Sequence, residues 1–155
     1  MGCRCKNSFV IIPDSQIRKE FDTFVQCIRI PSGNAFGYIA VQSAYEEGRP
    51  WLEAVLHQIQ ENYLYIQEKL YKELPLAEVS PLEGTYLLWV NLGKYIKGEE
   101  TESFIKEKCK LALDFGAWFG GERFDNYVRI NIATSKENII KAVEQLIQGI
   151  EDTCH

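Results

Sequence analysis

Thr85-Tyr86-Leu87-Leu88-Trp89-Val90-Asn91-Leu92 is the stretch on which the fold turns. It is dense in aromatic and branched apolar residues, and the turn Pro81-Leu82-Glu83-Gly84 leads into it, so it reads as a buried strand. Moving outward, Ala77–Ser80 is a shorter strand candidate on the N-terminal side. On the C-terminal side, Glu99–Lys110 is a charged amphipathic helix offering Phe104, Ile105 and Cys109 to a core. Leu111–Leu113 is short and apolar, Tyr127–Ile132 is another strand, and Ser135 stands as N-cap of a last helix. That helix carries Ile139, Ile140, Val143, Leu146, Ile147 and Ile150. From residue 51 the order is helix, strand, strand, helix, strand, strand, helix. This predicts an α+β lobe with helices covering one face of a mostly antiparallel sheet.

Upstream of Pro75 the apolar positions follow a helical period. Trp51, Leu52, Val55, Leu56, Ile59, Tyr63, Ile66 and Leu70 mix steps of three and four between Pro50 and Leu74. At 1.5 Å per residue this is a rod of roughly 35 Å, longer than a small lobe needs and suited to joining two lobes. Before it, Asp14 and Ser15 precede Ile17, Phe21, Phe24, Val25 and Ile28, again at helical spacing, and Pro31-Ser32-Gly33-Asn34 interrupts. A second helix is predicted from about Ala35 to Glu46, stopping at Gly48. These first two helices have no sheet to lie on. Their aromatics (Phe21, Phe24, Phe36, Tyr38) call for a partner surface outside this sequence.

Composition excludes several classes. The formal charge is −5 with no clustered Lys/Arg, so nothing marks a nucleic-acid surface. No apolar run approaches the roughly 20 residues of a bilayer span, and Met1–Lys6 has no apolar signal core. A cytoplasmic protein is expected. The five cysteines are an odd set without compact spacing, and Cys3-Arg4-Cys5 has no second Cys/His pair to complete a metal site. Reduced thiols and no metal are expected. With no Gly-x-Ser-x-Gly elbow and no P-loop ending after Gly116–Gly121, no catalytic nucleophile or phosphate loop is assigned.

One stretch carries chemistry: Asp114-Phe115-Gly116-Ala117-Trp118-Phe119-Gly120-Gly121-Glu122, followed by Tyr127-Val128-Arg129-Ile130-Asn131. Glycines let backbone pass close to a ligand, and Trp118 and Phe119 can wall it. Arg129, inside an apolar strand, needs a planar anion. A substrate carboxylate matches its fork, and so does a surface carboxylate of the chain itself. Gly84-Thr85-Tyr86 is either a strand mouth beside a pocket or an ordinary turn. Ser32-Gly33-Asn34 is either a phosphate-facing helix start or a plain N-cap.

Together these stretches resemble the C-terminal part of pyridoxal-phosphate (PLP) enzymes of the class I/II aminotransferase fold, and more narrowly the cystathionine β-lyase/C–S lyase branch. The resemblance is carried by Asn34-Ala35-Phe36-Gly37, Ala44-Tyr45-Glu46-Glu47-Gly48, Trp51-Leu52, Gly84-Thr85-Tyr86-Leu87-Leu88-Trp89 and the Arg129-Ile130-Asn131 strand behind its glycine loop. Lys6-Asn7-Ser8-Phe9 with Ile11-Ile12-Pro13 is similar to the strand after the family's cofactor lysine. The match spans roughly residues 6 to 152.

The resemblance implies that residues 1–48 are a remnant of the large PLP domain. Residues 49–155 would then be the small domain, with 50–74 the connecting helix. It implies that Arg129 binds the substrate α-carboxylate, that Trp118, Phe119 and Tyr86 line the substrate side, and that Asn34 lies near the cofactor phosphate. It implies an amino-acid substrate and a homodimer. The family's Schiff-base lysine lies before the segment resembled and cannot be placed here. Lys136, in Thr134-Ser135-Lys136, follows Arg129 and reads as a surface lysine. An inactive piece of a C–S lyase or aminotransferase, without covalent PLP, is therefore expected. The alternative is a non-catalytic α+β interaction module. Phe115, standing where the family has a proline, and Gly121–Asn126, replacing a more glycine-rich approach, put the substrate side of the pocket in question.

Overall fold

The computed structural model describes residues 9–29 and 35–153. The chain divides into two compact units, one ending at Leu52 and the other beginning at Glu53.

The first unit holds α1 (Ser15–Cys27), α2 (Ala35–Glu47) and the first turn of α3 (Arg49–Glu73). The Asp14 side chain caps α1, its Oδ1 accepting the Ile17 amide at 2.9 Å. Gly48 ends α2, where an added Cβ would lie 2.4 Å from the Ala44 carbonyl oxygen. Pro50 then sits in the first turn of α3, where its missing N–H costs no helical hydrogen bond. No residue of α1 is buried, and Phe24, Phe36 and Tyr38 are all exposed.

The second unit is an α+β lobe. Its sheet has four strands, β1 (Glu78–Val79), β2 (Leu87–Asn91), β3 (Asp114–Phe115) and β4 (Tyr127–Asn131), in the order β1-β2-β4-β3, antiparallel throughout. Leu88 and Val90 of β2 pair with Ile130 and Val128 of β4 on the buried face. Ile59, Ile66 and Leu70 of α3, with Ile139, Val143, Leu146 and Ile150 of α6 (Lys136–Glu151), complete the same core. Because strand side chains alternate, Leu87, Trp89, Tyr127 and Arg129 lie on the opposite, partly open face.

Two polar side chains are buried among the described residues, Thr101 and Asn62. Asn62 of α3 is fully buried, and its amide donates to the Ile132 and Thr134 carbonyls, each at 2.9 Å. Its oxygen accepts from Gln58 at 3.2 Å. The link fixes the end of β4 to the long helix.

The expected element order stands, but the elements differ in detail. Leu111–Leu113 is not a strand; pairing begins at Asp114, opposite Arg129, because the Leu111 and Leu113 side chains turn toward the core instead. The helix expected over Glu99–Lys110 is a 3-10 turn, Gly98–Glu100, followed by α4 (Thr101–Glu107), and Lys110 takes a left-handed backbone, φ 55°. Ser135 occupies the N-cap position of α6, but its side chain makes no capping hydrogen bond. The glycine loop also folds into structure of its own, α5 (Ala117–Gly120) and a 3-10 turn at Gly121–Phe124.

Candidate substrate-carboxylate site

Arg129 lies in β4 between Trp89 on β2 and Asp114 on β3, directly opposite each in register. Asp114 holds it through one oxygen, Oδ2, which accepts from Nε at 3.1 Å and from Nη2 at 2.6 Å. Nη1 has no hydrogen-bond partner among the described residues. The arginine side chain is 23% exposed and the aspartate 42%, so the pair sits at the rim of the sheet rather than inside it. The guanidinium carbon lies 4.3 Å from the centre of the Phe119 ring and 5.9 Å from that of Trp89. Stacking on an aromatic face suits a delocalised cation and restricts where it can swing.

The two rings that flank the cation also touch each other. Trp89 meets Phe119 edge-on at 5.5 Å and Tyr127 at 6.4 Å, and Tyr127 meets Phe124 at 5.8 Å. A cleft of about 310 Å³ opens between Ser80, Trp89, Phe119, Phe124 and Tyr127. The backbone that presents Phe119 depends on Gly116, where a Cβ would lie 2.0 Å from the Phe124 carbonyl oxygen. The Gly116 amide donates to the Tyr127 carbonyl at 2.8 Å, which ties the loop to β4.

Of the residues singled out in the sequence, the fold brings Arg129 and Phe119 together. Trp118 turns the other way: its ring packs on Phe115 at 5.1 Å and its Nε1 donates to Glu102 at 3.3 Å. The hydrogen bond from Lys106 is the main cause holding the Glu102 carboxyl below its ordinary range; burial opposes it, and the Lys106 charge and, least, the Trp118 hydrogen bond add to the lowering. Tyr86 stands exposed at the mouth of β2, its carbonyl accepting from the Ile132 amide at 2.9 Å. Asn34 lies outside the described residues. Asp114, Trp89, Tyr127 and Phe124 complete the arrangement. Trp89 and Tyr127 share the alternation parity of the arginine face and could have been found from it; Asp114 needed the sheet register.

No family model matches the chain. It is 30% identical over 131 residues to the cystathionine β-lyase PatB of Bacillus subtilis, covering 83% of this chain and 33% of that protein. Among solved structures it superposes on the PLP-bound C–S lyase of Staphylococcus hominis with a TM-score of 0.81 and 29% identity, over 94% of this chain and 38% of that one. On cystalysin of Treponema denticola, which contains PLP, the TM-score is 0.83 at 25% identity, over 92% and 36%. The chain therefore spans about a third of the length of the relatives it matches.

Lobe, long helix and arginine strand together share the class I/II aminotransferase fold of these PLP-bound enzymes, of which the chain matches a part. Over most of its length the homologues of this chain are cystathionine β-lyases or C–S lyases and PLP-dependent aminotransferases.

The residues around Arg129 do not by themselves fit a covalent PLP site, because none of them is a lysine. The Lys136 amine donates to the Glu61 carbonyl at 2.9 Å and lies 4.4 Å from the centre of the Tyr65 ring. Lys106 is paired with Glu102 and lies 5.5 Å from the centre of the Phe115 ring.

Proposed function

We propose that this chain supplies the carboxylate-binding side of a PLP-dependent C–S β-lyase or aminotransferase acting on a sulfur-containing α-amino acid. The observation that carries this is the state of Arg129, clamped by Asp114 on its Nε side, stacked on Phe119 and open at Nη1. A substrate carboxylate would take the Nη1–Nη2 edge while Asp114 keeps the guanidinium plane from turning. Phe119 and Trp89 would exclude water from one side of that contact, which strengthens it. With no lysine at this face, the chain alone is proposed to hold PLP without a covalent link, or not at all, and to be inactive. It is proposed to act in the cytoplasm as a homodimer, a reading supported by the exposed apolar side chains of α1 and α2.

The test is a titration with L-methionine, followed through the Arg129 side-chain resonances. Saturation with a Kd on the order of millimolar, the scale of one solvated ion pair plus a stacked wall, is expected. Arg129→Met should abolish it, and Arg129→Lys should weaken it, since an ammonium cannot supply the planar fork. Unmoved resonances would reduce Arg129–Asp114 to a structural ion pair.

A second reading, a non-catalytic interaction module, is favoured by one observation: the residues from Glu53 onward form a compact unit around their own core. It predicts a monomer indifferent to amino acids.

A further inference from the structure

We infer that Glu102 is a positioning residue for the arginine site: by accepting a hydrogen bond from Trp118 it fixes α5, and α5 fixes the Phe119 ring that stacks on Arg129. The inference rests on the carboxylate role of Arg129. α5 is a single turn, Ala117–Gly120, with glycine on both sides, and none of its residues is buried. An element with no residue in a core takes its position from the outer contacts of its side chains. Trp118 supplies those contacts on the α4 side and Phe119 on the β4 side. The two are neighbours on one turn, so a rotation that frees Trp118 carries Phe119 off the guanidinium.

The Trp118 side is built as an anchor. Its ring meets Phe115 edge-on at 5.1 Å, and Phe115 is buried in β3 next to Asp114. Its Nε1 donates to Oε2 of Glu102 at 3.3 Å, while Lys106, one turn further along α4, donates to the other carboxylate oxygen. The Lys106 ammonium also lies 5.5 Å from the centre of the Phe115 ring and 6.0 Å from that of Trp118. Apolar contact with Phe115 is non-directional and leaves the indole free to turn in its plane; the hydrogen bond to Glu102 selects one orientation. Lys106 in turn holds the carboxylate in place to receive it. On the far side of α5 the Phe119 ring centre lies 4.3 Å from the guanidinium carbon, over the face that Asp114 does not hold. Loss of Glu102 would leave the Arg129–Asp114 pair intact and loosen only the stacked wall.

Titration with L-methionine, read through the Arg129 side-chain resonances, tests this in Glu102→Leu, Glu102→Gln, Trp118→Phe and the double variant Glu102→Leu/Trp118→Phe. Glu102→Leu and Trp118→Phe should each weaken binding about threefold to tenfold, the scale of one hydrogen bond, and the double variant should be no weaker than either. The ring-current shift that Phe119 imposes on the Arg129 Nε proton should shrink in parallel, while the amide spectrum of the sheet stays native. Glutamine keeps an oxygen that accepts from the indole, so Glu102→Gln should stay within about twofold of the unsubstituted chain. Unchanged affinity in Glu102→Leu, additive losses in the double variant, or a glutamine variant as weak as the leucine one would each overturn the positioning role and leave the Arg129 reading standing. Absence of methionine binding to the unsubstituted chain, or binding that survives Arg129→Met, would overturn both.

Discussion

Arg129 was legible as a functional candidate because a permanent cation inside an apolar strand demands an anion. Which anion it meets was not legible, because Asp114 reaches it only through the β3–β4 register. Trp118 and Phe119 show the same limit: neighbours in a short helix point about 100° apart, so one faces the cation and the other faces Glu102. The Arg129–Asp114 pair is partly solvated, and its contribution to folding should be small. Asp114→Asn is expected to lower stability by less than about 1 kcal/mol in urea unfolding, far less than loss of a buried pair. Cys109 offers a second residue-scale test. Burial pushes its thiol up from about 9 to about 11, so the folded state resists forming the thiolate. The unfolded chain ionises first, and this contribution to stability is complete below pH 9 and lost as pH rises toward 11. In the native protein Cys109 should resist alkylation at pH 8 while the exposed Cys27 reacts; equal rates at the two would contradict its burial.

Among the elements, helices were the easier to foresee. The steps of three and four in α3 and α6 correspond to buried stripes, Ile59–Asn62–Ile66–Leu70 and Ile139–Val143–Leu146–Ile150. Strands of two residues carry almost no periodic signal, which is why β3 was misplaced, and the glycines masked α5 because they were read as loop. Asn62, the one polar member of the α3 stripe, links elements far apart in sequence and has no local signature. Asn62→Ala should cost about 2–3 kcal/mol by urea unfolding, since a buried and a part-buried carbonyl lose their donor. A loss under about 0.5 kcal/mol would mean that water or a shifted strand end satisfies them.

For the whole molecule, two units with unequal cores raise the question of what covers the first. The second unit closes around its own sheet and helices, whereas α1 buries none of its side chains and leaves Phe24 and Ile17 exposed. The proposed homodimer predicts a light-scattering mass near twice the 17.9 kDa of the chain. It also predicts a shift toward monomer for Phe24→Lys, whereas the interaction-module reading predicts a monomer from the start. The most direct test of the central claim, a carboxylate clamp without its own cofactor lysine, is to incubate the chain with PLP, reduce with borohydride and map adducts by mass spectrometry. Scattered, substoichiometric labelling of lysines is the expected result. A stoichiometric adduct on a single lysine, Lys136 included, would contradict it and make this chain a PLP protein in its own right.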